Sequence, residues 1–394
     1  MENDPIVIVG LARTPIGDFQ GTLSTLTAAE LGAHAIKAVL TRTKLEPNHI
    51  DEVIMGCVLQ AGQGQAPARQ AALTAKLPNS TNCTTINKMC GSAMKAIMLA
   101  HDQIKAGSHD IVIAGGMESM SNAPYLLGKA RAGYRMGHGQ VIDHMFMDGL
   151  EDAYDRGKLM GVFAEQTVEK YKFTREEQDK FAVSSVERAR KAIKDGCFEQ
   201  EIEPITIQVK KEAITIKTDE SPGKAKPEKI STLKPAFKKD GTVTAANSSS
   251  ISDGGAAVVL MRASEAKKRN LKPIATIVGS ASYSHEPAWF TTAPVGAVNK
   301  LLGKIGWTTT DVDLFELNEA FAVVTMAAMK DLNLPHDKVN IHGGACALGH
   351  PIGASGARIV CTLLSALQKY GKKRGIASLC IGGGEAVAMA FEMA

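Results

Sequence analysis

The sequence contains two related segments, one in each half of the chain, and this internal repeat restricts the fold more than any other feature. The first segment is C-G-S-A-M-K-A-I (residues 90–97), and the second is G-A-S-G-A-R-I-V (residues 353–360). Each has the pattern of a helix start and is followed by a run of small residues that ends in glycines. The upstream runs 50–56 and 312–318 also correspond. Two copies of one α/β unit explain this order better than chance similarity between glycine-rich helix starts.

Apolar runs that are typical of buried strands alternate with helical patterns. Residues 6–9 and 53–58 have the composition of buried strands, and residues 27–40 have helical spacing with Thr27 as a candidate N-cap. Strands that alternate with helices predict an α/β architecture, with helices on both faces of the sheets. The length of 394 residues fits two or three packed units.

A more charged stretch separates the two copies, from about residue 119 to residue 250. Its section 210–239 is rich in lysine and proline, and we interpret it either as a solvated loop or as a flap whose lysines lie near an anionic group. Residues 254–261 return to the pattern of a buried strand, so the stretch is inserted inside the first unit. The predicted organisation is an N-terminal unit of residues 1–118 plus 251–270, an inserted loop domain of residues 119–250, and a C-terminal unit of residues 271–394.

Composition and charge argue against several classes of protein. The formal net charge of +4 is too small to indicate a nucleic-acid partner by itself. The seven cysteines are odd in number and include no C-x-x-C pair, so neither a disulfide framework nor a zinc site is expected. No apolar stretch reaches the length of a membrane span, and residues 1–5 do not resemble a signal or transit peptide. We therefore expect a cytoplasmic protein with reduced thiols and without a metal, nucleic-acid or membrane partner.

Cys90 and His350 are the first candidates for chemistry. Cys90 follows a β-like run and a turn, at the predicted start of the first repeat helix. Unpaired N–H groups and the helix dipole are expected to lower the pKa of a thiol there, and the same N–H groups can receive an oxyanion. His350 lies three residues before the matching helix. If the units pack about a pseudo-twofold axis, His350 approaches Cys90 as an activating base; a buried structural cysteine and a turn histidine are the alternatives.

Cys380, Asn318 and Glu319 are weaker candidates when each is taken alone. Cys380 ends an apolar run beside the glycine turn 382–384, and by itself it would be assigned to the core. This glycine run is not a phosphate loop, because no G-K-[ST] follows it. Asn318 and Glu319 follow an apolar strand, where paired polar groups are unfavourable to bury without partners. They could hold a water or a substrate oxygen, or they could form an ordinary strand-end turn.

Four ordered motifs together resemble the thiolase family. They are N-x-x-C-G-S (87–92), N-E-A-F (318–321), G-H-P-I-G-A-S-G (349–356) and C-I-G-G-G (380–384), and the match covers nearly the whole chain. The length and the short N-terminus resemble the acetyl-CoA acetyltransferase branch. The resemblance implies a five-layered α-β-α-β-α arrangement of two repeated α/β units with an inserted loop domain. It also implies a homotetramer, assembled as a dimer of dimers.

The resemblance implies a reversible Claisen condensation of two acetyl-CoA molecules to acetoacetyl-CoA and CoA. Cys90, activated by His350, would take the acetyl group from one acetyl-CoA, and Cys380 would remove the α-proton of the other. One oxyanion site would consist of His350 and a water held by Asn318, and the other of the N–H groups of Cys90 and Gly382. The CoA thioester is the substrate, and no cofactor is implied.

The resemblance also implies contacts to CoA, at the positions that match the family. Ser249 corresponds to a serine that contacts the pantetheine arm, and Phe237 to a position near the adenine. Ala320, Phe321 and Met160 correspond to the pantetheine tunnel.

Several positions depart from the family pattern around the substrate. Leu159 stands where many acetoacetyl-forming members have histidine, and Phe290 replaces a frequent methionine near the acyl end. The arginine that often lies near the adenosine is missing, and Lys224 or Lys226 could serve instead. These departures concern chain length and CoA contacts and leave the catalytic set intact.

Three alternatives remain at this point. The nearest is a degradative 3-ketoacyl-CoA thiolase that acts on longer chains, although Phe290 favours a small acyl pocket. A carrier-protein condensing enzyme uses a cysteine with two histidines, and Cys380 at the second base position argues against it. A thiolase-like lipid-binding protein need not keep Cys90, Asn318, His350 and Cys380 together.

Overall fold

The computed structural model describes residues 4–210 and 212–394. The strands are β1 (Ile6–Arg13), β2 (Gly17–Asp18), β3 (Glu52–Gly56), β4 (Asn82–Ile86), β5 (Ile111–Ser119), β6 (Tyr125–Leu126), β7 (Ile142–Asp143), β8 (Ile205–Val209), β9 (Glu212–Ile216), β10 (Ser252–Arg262), β11 (Ala275–Ser284), β12 (Leu314–Leu317), β13 (Arg374–Ile381) and β14 (Glu385–Met393). The α-helices are α1 (Ala28–Thr43), α2 (Pro67–Thr74), α3 (Ser92–Ala106), α4 (Met160–Tyr171), α5 (Arg175–Lys194), α6 (Ser221–Lys224), α7 (Ala263–Lys268), α8 (Ala293–Ile305), α9 (Ala322–Asp331), α10 (Ala345–Leu348) and α11 (Ser355–Lys369).

The long strands form two halves with matching order. The first half runs β4-β3-β5-β10-β1, and the second runs β12-β13-β14-β11. In both halves parallel pairing at the outer side gives way to antiparallel pairing toward the centre. Strand β4 pairs in parallel with β3 at the edge of the first half. At the equivalent edge of the second half, a single parallel bridge joins Phe315 of β12 to Val339. The halves meet in a short β1–β11 pairing, where Val7 lies opposite Thr276 and Ile8 opposite Ala275. The predicted repeat is therefore present in the fold.

Three apolar clusters separate five layers. The central cluster contains α3, α11 and the inner faces of both halves of the sheet. A second cluster places α1 and α2 on the outer face of the first half, and a third places α8 and α9 on the outer face of the second half. Glycine allows the two central helices to approach closely, because a Cβ on Gly356 would lie 2.3 Å from the backbone N of Met94. The prediction of a five-layered α-β-α-β-α arrangement is confirmed.

The central helices begin later than the sequence pattern predicted. Helix α3 begins at Ser92 and not at Cys90, because Met89 adopts a left-handed conformation (φ 46°) and the chain turns before the helix starts. Helix α11 begins at Ser355, which is the third residue of its repeat segment, as Ser92 is of the first. The catalytic candidates Cys90 and His350 therefore lie in turns before these helices.

The inserted region leaves the sheet after β5 and returns at β10, which pairs antiparallel with β5. It contains two regular helices, α4 and α5, and the β8–β9 hairpin, so it is more ordered than the predicted loop. Helix α5 starts with a capping box, in which Thr174 Oγ1 accepts from Glu177 N and Glu177 accepts from Thr174 N. In the described ranges no helix is both long and apolar enough to cross a membrane.

Candidate active site

One cysteine from each repeat lies where the start of α3 meets the end of β13. Cys90 stands in the turn before α3, and Cys380 is the penultimate residue of β13. A Cβ on Gly91 would lie 2.4 Å from Ile381 Cδ1, so the turn before α3 packs closely against the end of β13. Burial raises the pKa of Cys380 well above its usual value, and the nearby Cys90 raises that pKa further. The N–H group of Gly382 acts on the sulfur of Cys90. Both thiols and this N–H group therefore share one site.

The expectation of a low pKa for Cys90 is wrong. Burial raises the pKa of the Cys90 thiol to about 11, which outweighs the lowering effect of the N–H groups of Gly382 and Cys90 itself. The thiol packs against apolar clusters from both halves of the chain. Because α3 starts two residues later, the sulfur does not stand on the first turn of the helix. At neutral pH Cys90 is a thiol, so its attack on a substrate requires a base.

This shift gives a prediction for alkylation of the substrate-free protein. We expect the rate of Cys90 alkylation by iodoacetamide to rise about tenfold per pH unit from about pH 7 to about pH 10, because the thiolate fraction grows that fast below a pKa of about 11. Peptide mass spectrometry measures the rate, with glutathione in the same tube as the reagent control. A rate that already levels off near pH 8 would contradict the raised pKa.

His350 is a buried, neutral imidazole. Its backbone N donates to Ser250 O at 3.1 Å, and its Nδ1 lies 2.5 Å from Ser355 Oγ. Because the Ser355 hydroxyl donates to Pro351 O, Nδ1–H must donate to Ser355 Oγ, which leaves a lone pair on Nε2. Nε2 is enclosed and has no hydrogen-bond partner among the residues that the structure describes. Burial, together with the charge of Arg358, lowers the pKa of His350 to about 3. The tautomer therefore leaves Nε2 as the atom that can accept a proton, while the low pKa makes the resting ring a weak base.

Asn318 and Glu319 lie just past the end of β12 but are held differently. Glu319 is tied into the fold, since its carboxylate accepts from Ser185 Oγ at 2.7 Å, Asn340 Nδ2 at 2.9 Å and Cys346 N at 3.1 Å. Asn318 is 1% exposed, and its backbone N donates to the carbonyl at position 378. Its amide Nδ2 has no partner within the described ranges. Asn318 therefore offers a free donor, whereas the Glu319 carboxylate is occupied by internal hydrogen bonds.

The residues predicted for the pantetheine tunnel lie together with Cys380 in one apolar cluster. Phe237 and Phe321 meet edge to face with ring centroids 5.9 Å apart, and Ala320 and Met160 belong to the same cluster. A Cβ on Gly382 would lie 3.5 Å from Met160 Sδ, so this cluster reaches the glycine turn.

Ser249 and its neighbours connect this cluster to His350. Ser249 N donates to Ala320 O at 3.0 Å, and the carbonyl of Ser250 accepts from the backbone N of His350. The structure thus links the predicted CoA-contacting residues to the candidate base through one short segment. Phe290, one of the residues that depart from the family pattern, is buried in the same cluster. Its ring centroid lies 6.4 Å from that of Phe321.

A cavity of about 430 Å³ lies beside this segment. Ser248, Ser250 and Cys346 line one part of it, and the exposed lysines 224, 226 and 229 line another. Lys224 is paired with the carboxylates at positions 18 and 220. The cavity wall, as far as the described residues form it, includes neither of the two site thiols.

Sequence reasoning missed two buried charged residues at the site. Glu118 on β5 accepts from the backbone N of Val58, Leu59 and Gly353, which ties the loop after β3 to the loop after His350. Burial raises the pKa of Glu118 to about 7. Arg358 on α11 contacts Asn318. The sequence signals that could have identified them are an acidic residue within the apolar run of β5 and an arginine within the apolar face of α11.

Comparison with known proteins agrees with this geometry. The chain matches the family models described as thiolase, N-terminal domain, over residues 6–264 and thiolase, C-terminal domain, over residues 271–393. It is 50% identical over 392 residues to an acetyl-CoA acetyltransferase of Allochromatium vinosum, covering 99% of both chains. The crystal structure of the Bacillus anthracis acetyl-CoA acetyltransferase superposes with a TM-score of 0.97 at 42% identity, covering 99% of each chain. Acat5 thiolase from Ascaris suum in complex with coenzyme A gives a TM-score of 0.94 at 42% identity, covering 99% of this chain and 100% of that one. The chain therefore belongs to the thiolase family.

Proposed function

We propose that the protein is an acetyl-CoA C-acetyltransferase, which condenses two acetyl-CoA molecules to acetoacetyl-CoA and CoA and catalyses the reverse thiolysis. The observation that carries this proposal is the close approach of the turn before α3, which holds Cys90, to the end of β13, which holds Cys380, beside the Gly382 N–H. Acyl transfer alone needs one nucleophile, whereas carbon–carbon bond formation also needs a base for the α-proton. Relatives that are named acetyl-CoA acetyltransferases support the same activity.

In the first half-reaction, the Cys90 sulfur attacks the thioester carbon of acetyl-CoA while His350 Nε2 takes the thiol proton. Because the pKa of Cys90 is about 11 and that of His350 about 3, a resting thiolate–imidazolium pair is disfavoured. Proton transfer therefore accompanies formation of the new C–S bond. The N–H groups of Cys90 and Gly382 would receive the developing oxyanion. One thioester replaces another, so the acyl transfer is nearly isoenergetic and the carbonyl stays activated.

Cys380 is itself a thiol at rest, because its pKa is raised well above the usual value. It gives its proton to the departing CoA thiolate and becomes the thiolate that serves as base in the second half-reaction. The imidazolium of His350 balances this charge. Because burial disfavours both ions, as it disfavours a Cys90 thiolate at rest, the pair is a high-energy state that CoA departure creates and abstraction of the α-proton removes.

In the second half-reaction, the Cys380 thiolate removes the α-proton of the second acetyl-CoA. The enolate oxygen is held by His350 Nε2–H and a water on Asn318, and the enolate carbon attacks the acetyl group on Cys90. The C–S bond to Cys90 breaks, and the Cys90 thiolate takes back a proton from His350. Cys380 keeps the proton that it abstracted, so both residues are thiols again. Each oxyanion donor contributes about 3–4 kcal/mol and a positioned base about two to four orders of magnitude in rate.

The proposed path of CoA follows the apolar cluster to the cavity. The pantetheine arm would pass Met160, Phe237, Ala320 and Phe321, with Ser249 beside it. The phosphates would lie near the exposed lysines of the cavity, where positive charge is accessible to an anionic ligand.

Removing two of these lysines tests the path. The double variant Lys226→Ala/Lys229→Ala is expected to raise KM for acetyl-CoA roughly three- to tenfold with kcat unchanged, since exposed charge contacts contribute up to about 1 kcal/mol each. Acetyl-pantetheine lacks the nucleotide phosphates, so its KM should not respond. Lys37→Ala, an exposed lysine on α1, is the matched control. An equal rise in KM for both substrates would place the phosphates elsewhere.

The acyl chain is proposed to be short, because Phe290 is 3% exposed and fills the cluster around Cys380. Thiolysis of acetoacetyl-CoA is expected to be faster than that of 3-ketooctanoyl-CoA, and Phe290→Leu should shift the ratio of kcat/KM roughly tenfold toward the longer chain. Phe163→Leu removes similar volume from the same cluster and serves as the control. Faster cleavage of the longer chain by the wild type would favour a degradative 3-ketoacyl-CoA thiolase.

A homotetramer is proposed for the assembly. Strand β4 is the edge of the first half of the sheet, and an edge strand is a template for pairing with a second copy. The segment from β6 to β7 exposes the apolar side chains Tyr125 (67%), Met136 (98%) and Val141 (64%), which a second copy of the chain could cover. Light scattering after size-exclusion chromatography should give the mass of four 41.8 kDa chains, and a monomer mass would overturn this assembly.

A further inference from the structure

Arg358 on α11 is a buried cation beside the proposed oxyanion donors. It is 2% exposed, its Nη2 donates to Asn318 Oδ1 at 3.4 Å, and its Nη1 lies 3.6 Å from Glu316 Oε2. Its Nε and Nη1 atoms have no hydrogen-bond partner in the described part of the chain. A buried guanidinium normally has close, paired acceptors because its desolvation is unfavourable.

Arg13 shows what such a fully paired arginine looks like in this protein. Its Nε binds Glu201 at 2.6 Å, and its two terminal nitrogens bind Asp219 at 2.7 and 2.9 Å. Arg358 has a single long ion pair and an amide oxygen instead. A purely structural ion pair does not explain this arrangement.

The contact of Arg358 decides which way the Asn318 amide faces. Arginine can only donate, so it must meet Oδ1, and Nδ2 then lies on the opposite side of the amide. The backbone of Asn318 is held by hydrogen bonds to Ser378 O and from Ala320 N, both at 3.0 Å. The side-chain amide is held by its contact with Arg358, because a flip of the amide would bring its NH₂ group against the guanidinium.

We propose that Arg358 is a positioning residue for the condensation half-reaction, which holds Asn318 with its amide N–H groups toward the enolate oxygen and places positive charge behind it. This inference rests on the proposed function. The charge of Arg358 also helps to lower the pKa of His350, which places the guanidinium near both members of that oxyanion site. The other oxyanion site consists of the backbone N–H groups of Cys90 and Gly382, so it should not depend on Arg358.

The test measures the two half-reactions separately in Arg358→Met and Arg358→Lys. Acetylation of Cys90 by acetyl-CoA is followed by rapid-quench mass spectrometry, and acetoacetyl-CoA formation by its kcat. For Arg358→Met we expect condensation to fall about 10²–10³-fold, as for the loss of an oxyanion donor. Acetylation should not fall, because loss of the guanidinium charge raises the pKa of the base His350. Arg358→Lys keeps the charge and should lose only about tenfold in condensation.

A double-variant comparison separates positioning from a structural effect. If Arg358 acts through Asn318, adding Arg358→Met to Asn318→Ala should lower the condensation kcat by less than about threefold further. Equal loss in both half-reactions, loss in neither, or multiplied losses in the double variant would overturn the proposal. If circular dichroism shows that Arg358→Met does not fold, the test uses Arg358→Lys instead. The proposal then requires that its condensation rate falls more than its rate of Cys90 acetylation. Failure of the wild type to acetylate Cys90 would instead overturn the proposed function.

Discussion

Replacing Cys90 with alanine is expected to reduce both condensation and thiolysis by at least about 10⁴-fold. The reason is that the acetyl group has no other carrier, and removal of a covalent nucleophile in comparable enzymes reduces kcat by about 10⁶-fold. The measurement is the initial rate of acetoacetyl-CoA cleavage with CoA present, followed by loss of the acetoacetyl-CoA enolate absorbance.

Cys346→Ala is the matched control for this variant. Cys346 is also partly exposed and lines the cavity, and its sulfur donates to Glu319 O at 3.7 Å, so it is close to the site without a role in the proposed mechanism. Its activity should stay within about threefold of the wild type. If Cys90→Ala kept more than about 1% of the activity, Cys90 would not be the acyl carrier.

Replacing Cys380 with serine is expected to separate the two half-reactions. Condensation should fall about 10²–10⁴-fold, because a serine hydroxyl does not ionise in a buried site and cannot serve as the base. Acetylation of Cys90 should persist within about tenfold, because a CoA thiolate departs readily without a strong acid. Rapid-quench mass spectrometry and steady-state condensation rates give the two values.

Cys83→Ser, a half-exposed cysteine on β4, controls for the substitution itself and should leave both half-reactions unchanged. If Cys380→Ser slowed acetylation as much as condensation, Cys380 would be part of the nucleophile's own activation, and a separate base would have to be sought.

The fold could be predicted from local sequence patterns, and the internal repeat supports each of these predictions a second time. The two central helices begin at Ser92 and Ser355, equivalent positions of the two repeat segments, and Thr27 caps α1 through a capping box with Glu30. Helix propensity, capping and small-residue spacing are local properties, and their recurrence in the two halves makes each prediction support the other.

The inserted region shows where composition misled the prediction. Its charge suggested a solvated loop, yet α5 has the capping box Thr174–Glu177 and buries one apolar face, including Phe181 and Val186. The other face of the helix carries charged side chains, so the segment is polar in composition although its apolar residues recur with helical spacing. The spacing and the cap, and not the overall charge, identify this helix.

The ionisation of the site could not be predicted from the sequence. The pKa of Cys90 depends on desolvation by residues from distant parts of the chain, among them Val58 and Ile352, whereas the local pattern showed only the helix start. The role of Arg358 depends likewise on its contact with Asn318, forty positions away. Such groups become visible only when tertiary packing sets which charges are buried and which partners they meet.

The most direct test of the central claim is the site of acetylation in the wild type. The protein is mixed briefly with acetyl-CoA, quenched in acid and digested, and every peptide that contains one of the seven cysteines is examined by mass spectrometry. We predict an acetyl group on the Cys90 peptide, and its loss when CoA is added before the quench. Acetyl transfer to the Cys380 peptide instead, or no acetyl-enzyme at all, would contradict the proposed role of Cys90.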